Sequence, residues 1–382
     1  MRLLVLYQAR DAAADQPGYY EGFERLISEG VLSAHVAIPF YGVAEEKGWD
    51  GLWAEAERTA RNMQADAVFL QFFHGAMPDP TEGIQRLKRL PTRPTLFTSL
   101  GDPYGRWIRR VPKSFRVASA LADVSFLTGM GYIARQLRGW GSRNLVLMPN
   151  GCCQVRFSSQ PSTELSQPEF DVVFVGSRVY PRNLLSQFSY LYYWGGRKRV
   201  ELVEAFTKRY GRRFGLFGKG WNGNSAWQGP VPYAGQHEAY RRSAVALGGM
   251  PYACNDYYTS DRVFIAMASG VPFVDYWVSG VDRLLQPGRD WWLAQSQDEM
   301  FRLCDTLLEM PSSERVGLGE EARKRVLSRH TQYHRCKEMI EIIRNIREAH
   351  RSGRRAAQPE LSFLSRSWAP GPAPDAILGW EG

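Results

Sequence analysis

Short apolar runs alternate with amphipathic stretches through residues 3–148, and the same alternation restarts at Phe170 and continues to Leu293. This βαβα rhythm is the pattern of a parallel sheet covered by helices, because strands buried on both faces must be apolar along their whole length. In the first round the runs at 3–7, 34–38, 66–71, 95–98, 123–128 and 144–148 read as strands, with helices at 19–28, 49–64 and 82–89. In the second round strands are expected at 170–176, 214–217, 244–248 and 273–276, a further apolar run at 291–293, and helices at 197–210, 237–242, 298–308, 313–328 and 333–350. A single hydrophobic core stops growing near ~250–300 residues, and the chain has 382. Two α/β Rossmann-like domains therefore follow: 1–157, a linker at 158–168 rich in Ser, Gln, Thr and Pro, and 169–350. Residues 351–382 carry Pro359, Pro370, Pro372 and Pro374 with little periodicity, and read as an extended or docked tail.

Charge narrows the classes of partner. The net charge is +9, and nine Lys/Arg stand against two Glu between Arg178 and Arg213. So local an excess argues against a nucleic-acid protein and suits an anionic small molecule or a phosphate-bearing lipid surface. Taken singly, Lys198 and Arg209 read equally well as a solvated helix face. The cysteines, 152, 153, 254, 304 and 336, form neither a disulfide framework nor a zinc spacing, so a reduced, cytoplasmic setting is expected. Asp11 and Asp15 interrupt the apolar start too early for a signal peptide, and no run is long enough to span a bilayer.

Two α/β halves of similar size leave a cleft between the carboxyl ends of their sheets, where ligands gather. Four second-half loops should meet there. Gly176-Ser177-Arg178 follows a strand and offers backbone amides to an anion. Gly218-Lys219-Gly220-Trp221 sets a lysine between glycines, with a tryptophan placed to cover a base or sugar; a tight turn with a surface lysine fits equally. Gly229-Pro230-Val231-Pro232-Tyr233 brings a tyrosine beside a planar base, or is simply a rigid connection. The fourth, Tyr258-Thr259-Ser260-Asp261-Arg262, is a polar loop, a Ser260 or Asp261 cap and a helix start, which attracts anions; Arg262 adds a fork of donors suited to phosphate.

The second half resembles the C-terminal domain of GT-B glycosyltransferases of the CgeB spore-protein type, with family-four-like organisation. The likeness lies in the order of Asp171 to Gly176, Leu216 to Trp221, Gly229 to Tyr233, the run Arg262-Val263-Phe264-Ile265-Ala266-Met267-Ala268-Ser269-Gly270-Val271-Pro272, and Glu314, Arg315, His330, Thr331 and Arg335. It covers roughly residues 170–345; the first half matches an acceptor domain only in its strand–helix order and its Pro149-Asn150-Gly151 ending. The resemblance implies a nucleotide-diphosphate sugar as co-substrate held by the second domain, an acceptor (glycan, protein or small molecule) held by the first, and no metal or other cofactor. Carried over by position, Gly176 and Ser177 approach the phosphates, Lys219 and Arg262 neutralise them, and Tyr258, Thr259 and Ser260 bond the sugar or diphosphate. This chain departs from the pattern at Ile265 and Tyr257, where relatives carry glutamates; Asp256, Asp261 and Asp275 stand near enough to substitute.

On the acceptor side, His74 and Asp102 each end a predicted strand, so either could serve as a base for an acceptor hydroxyl. His74 reads alternatively as a loop residue, and Asp102 before Pro103 as an Asx-turn. The aromatic run 188–194 would touch a sugar or a membrane if exposed and is core if buried. His330 and His334 are spaced i,i+4 with no third ligand, so they are not read as a metal site. The expected function is sugar transfer from a nucleotide-diphosphate sugar. The alternatives are a silent sugar-nucleotide- or polysaccharide-binding protein, favoured by the missing glutamate, and a nucleotide-sugar epimerase of the same architecture.

Overall fold

The computed structural model describes residues 1–73, 77–102, 104, 110–158, 167–178, 194–249, 254–365, 367–369 and 372–382. The first round of apolar runs forms β1 (Arg2–Tyr7), β2 (Ala34–Pro39), β3 (Ala67–Gln71), β4 (Thr95–Leu100), β5 (Val124–Leu127) and β6 (Leu145–Leu147). The second forms β7 (Phe170–Val175), β8 (Phe214–Phe217), β9 (Trp227–Gly229), β10 (Ser243–Leu247), β11 (Phe273–Tyr276) and β12 (Trp292–Ala294). These are the two expected parallel sheets. Their orders are β13-β6-β5-β4-β3-β1-β2 and β12-β11-β10-β7-β8-β9, where β13 is Ile377–Leu378. In the first sheet β3, β4 and β5 are buried at every residue, as helices on both faces require.

Strand order decides where a ligand can enter. In the second sheet the chain leaves β7 toward β8 and β9, then returns to lay β10 on the other side of β7. The crevice between the carboxyl ends of β7 and β10 is thus a topological switch point, where open α/β sheets bind ligands. Successive β7 residues serve different cores. Val173 and Val175 join a buried cluster that runs through the interface into the first domain, while Val172 and Phe174 join a second cluster on the far face.

The last long helix, Gln332–Arg351, continues the second round in sequence but packs on the first domain, against the helix Pro17–Ser28. Tyr333 donates its hydroxyl to Glu29 at 2.7 Å, and Arg347 reaches Asp66 at 2.7 Å. At its start Cys152 and Thr331 form a bridge, with Cys152 N–H donating to His330 O at 3.0 Å. Arg335, 1% exposed, donates Nε–H to Pro149 O at 2.9 Å and an Nη2–H to His330 Nδ1 at 2.8 Å. Burial lowers its guanidinium to about 10. The His330 ring, stacked on Phe264 and buried beside Arg335 and Arg329, is held well below the usual imidazole range. His334 caps its own helix, Thr331 being the N-cap residue.

The tail docks as an antiparallel seventh strand on β6, pairing Ile377 with Val146 and Leu378 with Leu145. The helix expected from residue 49 begins at Phe40 and bends at Gly48, whose φ of 72° interrupts it. The basic segment 178–213 carries surface ion pairs: Arg197 and Lys198 with Glu201, each at 3.3 Å, Arg209 with Asp305, and Arg213 with Asp171 at 2.6 Å. Four of the nine cations are thus matched by acidic side chains along the surface. The aromatic run at 188–193 lies outside the described residues.

Replacing Arg335 by Met keeps the stem but strands the Pro149 carbonyl and the His330 ring nitrogen. Each buried unpaired group costs roughly 1–3 kcal/mol, so the urea unfolding free energy should fall by about 2–4 kcal/mol; a change below about 0.5 kcal/mol would contradict the role given to this arginine.

Candidate functional site

The switch-point crevice is built from glycines that let two loops touch. Gly176, just past β7, donates its N–H to Phe217 O at 2.8 Å. Gly218, just past β8, has φ +136°, and a Cβ placed on it would lie 2.3 Å from Gly176 O. No other residue type fits that backbone and that space. A Cβ on Gly176 would in turn lie 3.3 Å from Nη1 of Arg262. Arg178 N–H donates to Lys219 O at 2.9 Å, which ties the two loops together. Ser177 and Lys219 are exposed, and Arg178 is half-buried with its guanidinium 5.8 Å from the Trp221 ring centre.

Trp221 corrects the sequence reading. Its indole is 2% exposed, stands edge-on to Phe174 and donates Nε1–H to Gly176 O at 2.7 Å. It supports the loop after β7 from beneath and has no face left to cover a base. Trp227 does the same for Gly218 O at 2.8 Å.

The helix Asp261–Ala268 begins at the mouth of this crevice. Ser260 is its cap, the Oγ accepting from Arg262 N–H at 3.4 Å. Val263 through Ala268 are buried, so the helix is anchored by its apolar length, and Gly270, at φ +77°, ends it. Ile265 is fully buried in the interdomain core and donates nothing to the cleft. Among the described residues the Arg262 guanidinium has no hydrogen bond or ion pair. Asp261 accepts from Ser260 Oγ at 3.0 Å, and its charge acts on the Tyr233 phenol. Tyr233 is 36% exposed, with its ring edge-on to Phe157 at 5.7 Å and the Arg156 guanidinium 5.5 Å away. Desolvation at its hydroxyl end and the Asp261 charge push its phenol well up.

The loop before the helix is folded onto the first domain. Asn255, fully buried, accepts from Ile133 N–H and donates to Tyr104 O, each at 3.3 Å, and Asp256 O accepts from Met130 N–H at 2.8 Å. Asp256 turns its carboxylate toward Gly131, away from the crevice. Tyr257 has φ +62°, is fully buried and donates to Pro374 O at 2.6 Å. Tyr258 is buried beside Gly129; desolvation raises its phenol, the Arg262 charge opposes this, and Asp102 and Asp261 add to it. The Asp102 charge therefore acts at the same loop from the first domain's β4 end, where the residue is exposed. Thr259 is fully buried, and among the described residues its Oγ1 has no partner. His74 lies outside the described residues.

Sequence reasoning missed Arg199. It sits 6% exposed behind the crevice and donates to Gly249 O at 3.0 Å and Ser177 O at 3.1 Å, bracing the ends of β7 and β10. Within a helix of exposed cations only its place on the apolar face, one turn from Leu202 and Val203, could have marked it. Asp275 ends β11 beside them, 2% exposed, and burial raises its carboxyl to about 7. Among the described residues no group of three or more His, Cys, Asp or Glu could hold a metal ion.

Residues 197–341 match a family model described as glycosyl transferase-like. No curated protein matches the chain. Among solved structures the chain is similar to an alpha-glucosyltransferase in complex with UDP, with TM-score 0.62 at 10% identity over 90% of this chain and 100% of that one. It is also similar to sucrose-phosphate synthase from Thermosynechococcus elongatus, with TM-score 0.60 at 13% identity over 91% and 100%. A third likeness is a DNA-modifying beta-glucosyltransferase, with TM-score 0.55 at 12% identity over 90% and 100%. The chain has the GT-B fold, two parallel-sheet domains with a cleft between them, and a glycosyl transferase-like segment forms most of its second domain.

Gly218→Ala should lower the unfolding free energy by roughly 1–3 kcal/mol, since it sets a methyl against Gly176 O in a backbone region alanine avoids. Gly139→Ala, at a helix end with nothing within 4 Å, should be neutral or stabilising by up to about 1 kcal/mol. Equal urea midpoints for the two variants would contradict the close approach of the two loops.

Proposed function

We propose that this chain is a glycosyltransferase that moves a sugar from a nucleoside-diphosphate sugar to a hydroxyl-bearing acceptor. The observation that carries this is the Arg262 guanidinium, unpaired among the described residues, at a helix start and against the Gly176 loop on the second sheet's switch point. A diphosphate seated there meets the amide of Ser177, the Arg262 fork and the Lys219 ammonium. Charge builds on the departing diphosphate as the glycosidic bond breaks, and donors already in place stabilise that state more than the intact donor. These cations supply the charge stabilisation, so the reading is metal-independent. UDP-sugars are the first donors to test, because two of the similar structures were solved with UDP or uridine diphosphoglucose.

The acceptor belongs on the carboxyl edge of the first sheet, facing Tyr258 and Asp102. Asp102 is the described group that could take the acceptor proton in an inverting reaction. In a retaining course the leaving phosphate takes it, and Asp102 only orients the acceptor. Four of the five free cysteines are buried, which fits a reducing, cytoplasmic setting. Among the described residues no helix is long and apolar enough to cross a membrane. The CgeB-type likeness rests on motif order alone. The burial of Ile265 favours a second reading, a sugar-nucleotide-binding protein without turnover, since no carboxylate stands where relatives grip the ribose.

Calorimetric titration with UDP, GDP, CDP and TDP should show binding of at least one, and a folded protein that binds none contradicts the site. Arg262→Ala and Lys219→Ala should each weaken that binding by more than about tenfold, as loss of a charge-assisted contact does; unchanged affinity in both would remove the assigned phosphate corner. Slow donor hydrolysis without acceptor, assayed by release of free sugar, separates the transferase from the silent binder, which shows none.

A further inference from the structure

At the carboxyl ends of β10 and β11 the fold makes room for one buried carboxyl group. Leu247 pairs with Val274, so Gly248 lies beside Asp275; a Cβ on Gly248 would fall 2.2 Å from the Asp275 carboxyl carbon. Only glycine at 248 admits this side chain. Asp275 Oδ1 accepts from Tyr276 N–H at 2.8 Å, and among the described residues the carboxyl has no ion pair. Four groups face it: Arg262 from the helix Asp261–Ala268, Arg199 from the helix Trp194–Tyr210, Tyr240 from the helix Gln236–Arg241, and Tyr276 on its own strand. Two of Arg199's donors are committed to the carbonyls of Ser177 and Gly249. The Tyr240 hydroxyl is fully buried and has no partner among the described residues. Among the described residues Arg262 acts on Asp275 and also borders the crevice at Gly176 with its guanidinium unbonded.

We propose that Asp275 is a positioning residue that couples donor binding to proton uptake: its carboxylate shares the field of the Arg262 charge with the donor diphosphate, and its neutral carboxyl leaves that field to the donor. This rests on reading the Gly176–Gly218–Arg262 corner as the donor site. Burial raises the carboxyl to about 7, while Tyr276 N–H, Arg262 and Arg199 pull the other way. A bound diphosphate adds negative charge and draws Arg262 off, which raises the carboxyl further. Between the free and bound values one proton enters from solvent and stays on Asp275, and no covalent bond changes. Donor affinity is therefore full below about pH 7 and falls as pH rises, by at most about tenfold per pH unit for one linked proton.

The test is calorimetric titration of the full chain with the tightest of UDP-, GDP-, CDP- and TDP-glucose between about pH 6 and about pH 8.5. Nucleoside-diphosphate sugars are the probe because their diphosphate, esterified at both ends, has no group titrating near neutrality, unlike a terminal phosphate with a second ionisation near ~6. Affinity in the wild type should fall about tenfold across the range. In Asp275→Asn, which keeps an acceptor for Tyr276 N–H, it should stay flat and at or above the wild-type acid value. A second readout needs no variant: titrations near pH 7 in buffers of different ionisation enthalpy should show uptake of up to one proton. A flat wild-type profile, the same slope in Asp275→Asn, or no proton uptake overturns the coupling and leaves the donor site standing. Failure of all four nucleotide sugars to bind at any pH overturns the donor site and the coupling with it.

Discussion

The cleft depends on a loop of the second domain being folded against the first. Asn255 is the centre of that contact, with Oδ1 on Ile133 N–H and Nδ2 on Tyr104 O, out of reach of water. A buried amide satisfied only by the opposite domain makes separation costly, because opening would strand several polar groups at once. The loop stores strain at Tyr257, where a φ of +62° costs roughly 1–2 kcal/mol for a residue with a side chain. The Tyr257 hydroxyl on Pro374 O and the fit of its ring against Gly280 hold that conformation. Such over-determined strain is common where backbone groups must be aimed at a ligand.

From this loop the rest of the site follows. Ser260 starts the helix directly after the interdomain contact, so Arg262 is fixed relative to both sheets. The long helix Gln332–Arg351 and the tail strand β13 then fasten the second half of the chain back onto the first domain. Arg335, Arg347 and the β13–β6 pairing spread this fastening over the length of that domain. The crevice is thereby held by elements remote from it, and its own loops are free to be rich in glycine.

Much of this was legible in the chain. The apolar runs located β1 to β8 because parallel strands buried on both faces need no polar alternation, and Ser260 and Gly270 bracket their helix as caps should. β9 escaped because its three residues are partly exposed and carry no apolar run. β13 escaped because a short strand in a proline-bearing tail exists only through its partner β6. The helix start at Phe40 was hidden by Gly48, which sequence reads as a stop and the structure uses as a bend. Trp221 and Arg199 show the limit for the site itself. Next to a glycine loop, an aromatic ring fits a ligand cover as well as a buried support, and in a basic helix an inward arginine looks like its solvated neighbours. Direction into or out of the crevice is a tertiary property, set here by Phe174 and by the carbonyls of Ser177 and Gly249.

The central claim is that a donor diphosphate sits between the two glycine loops and the start of the Arg262 helix. The most direct measurement is a crystal structure with UDP, or with whichever nucleoside diphosphate binds best. The account predicts phosphate density within hydrogen-bond distance of Arg262 and of the Ser177 amide. Density for a tightly bound nucleotide anywhere else, with this corner empty, would contradict it.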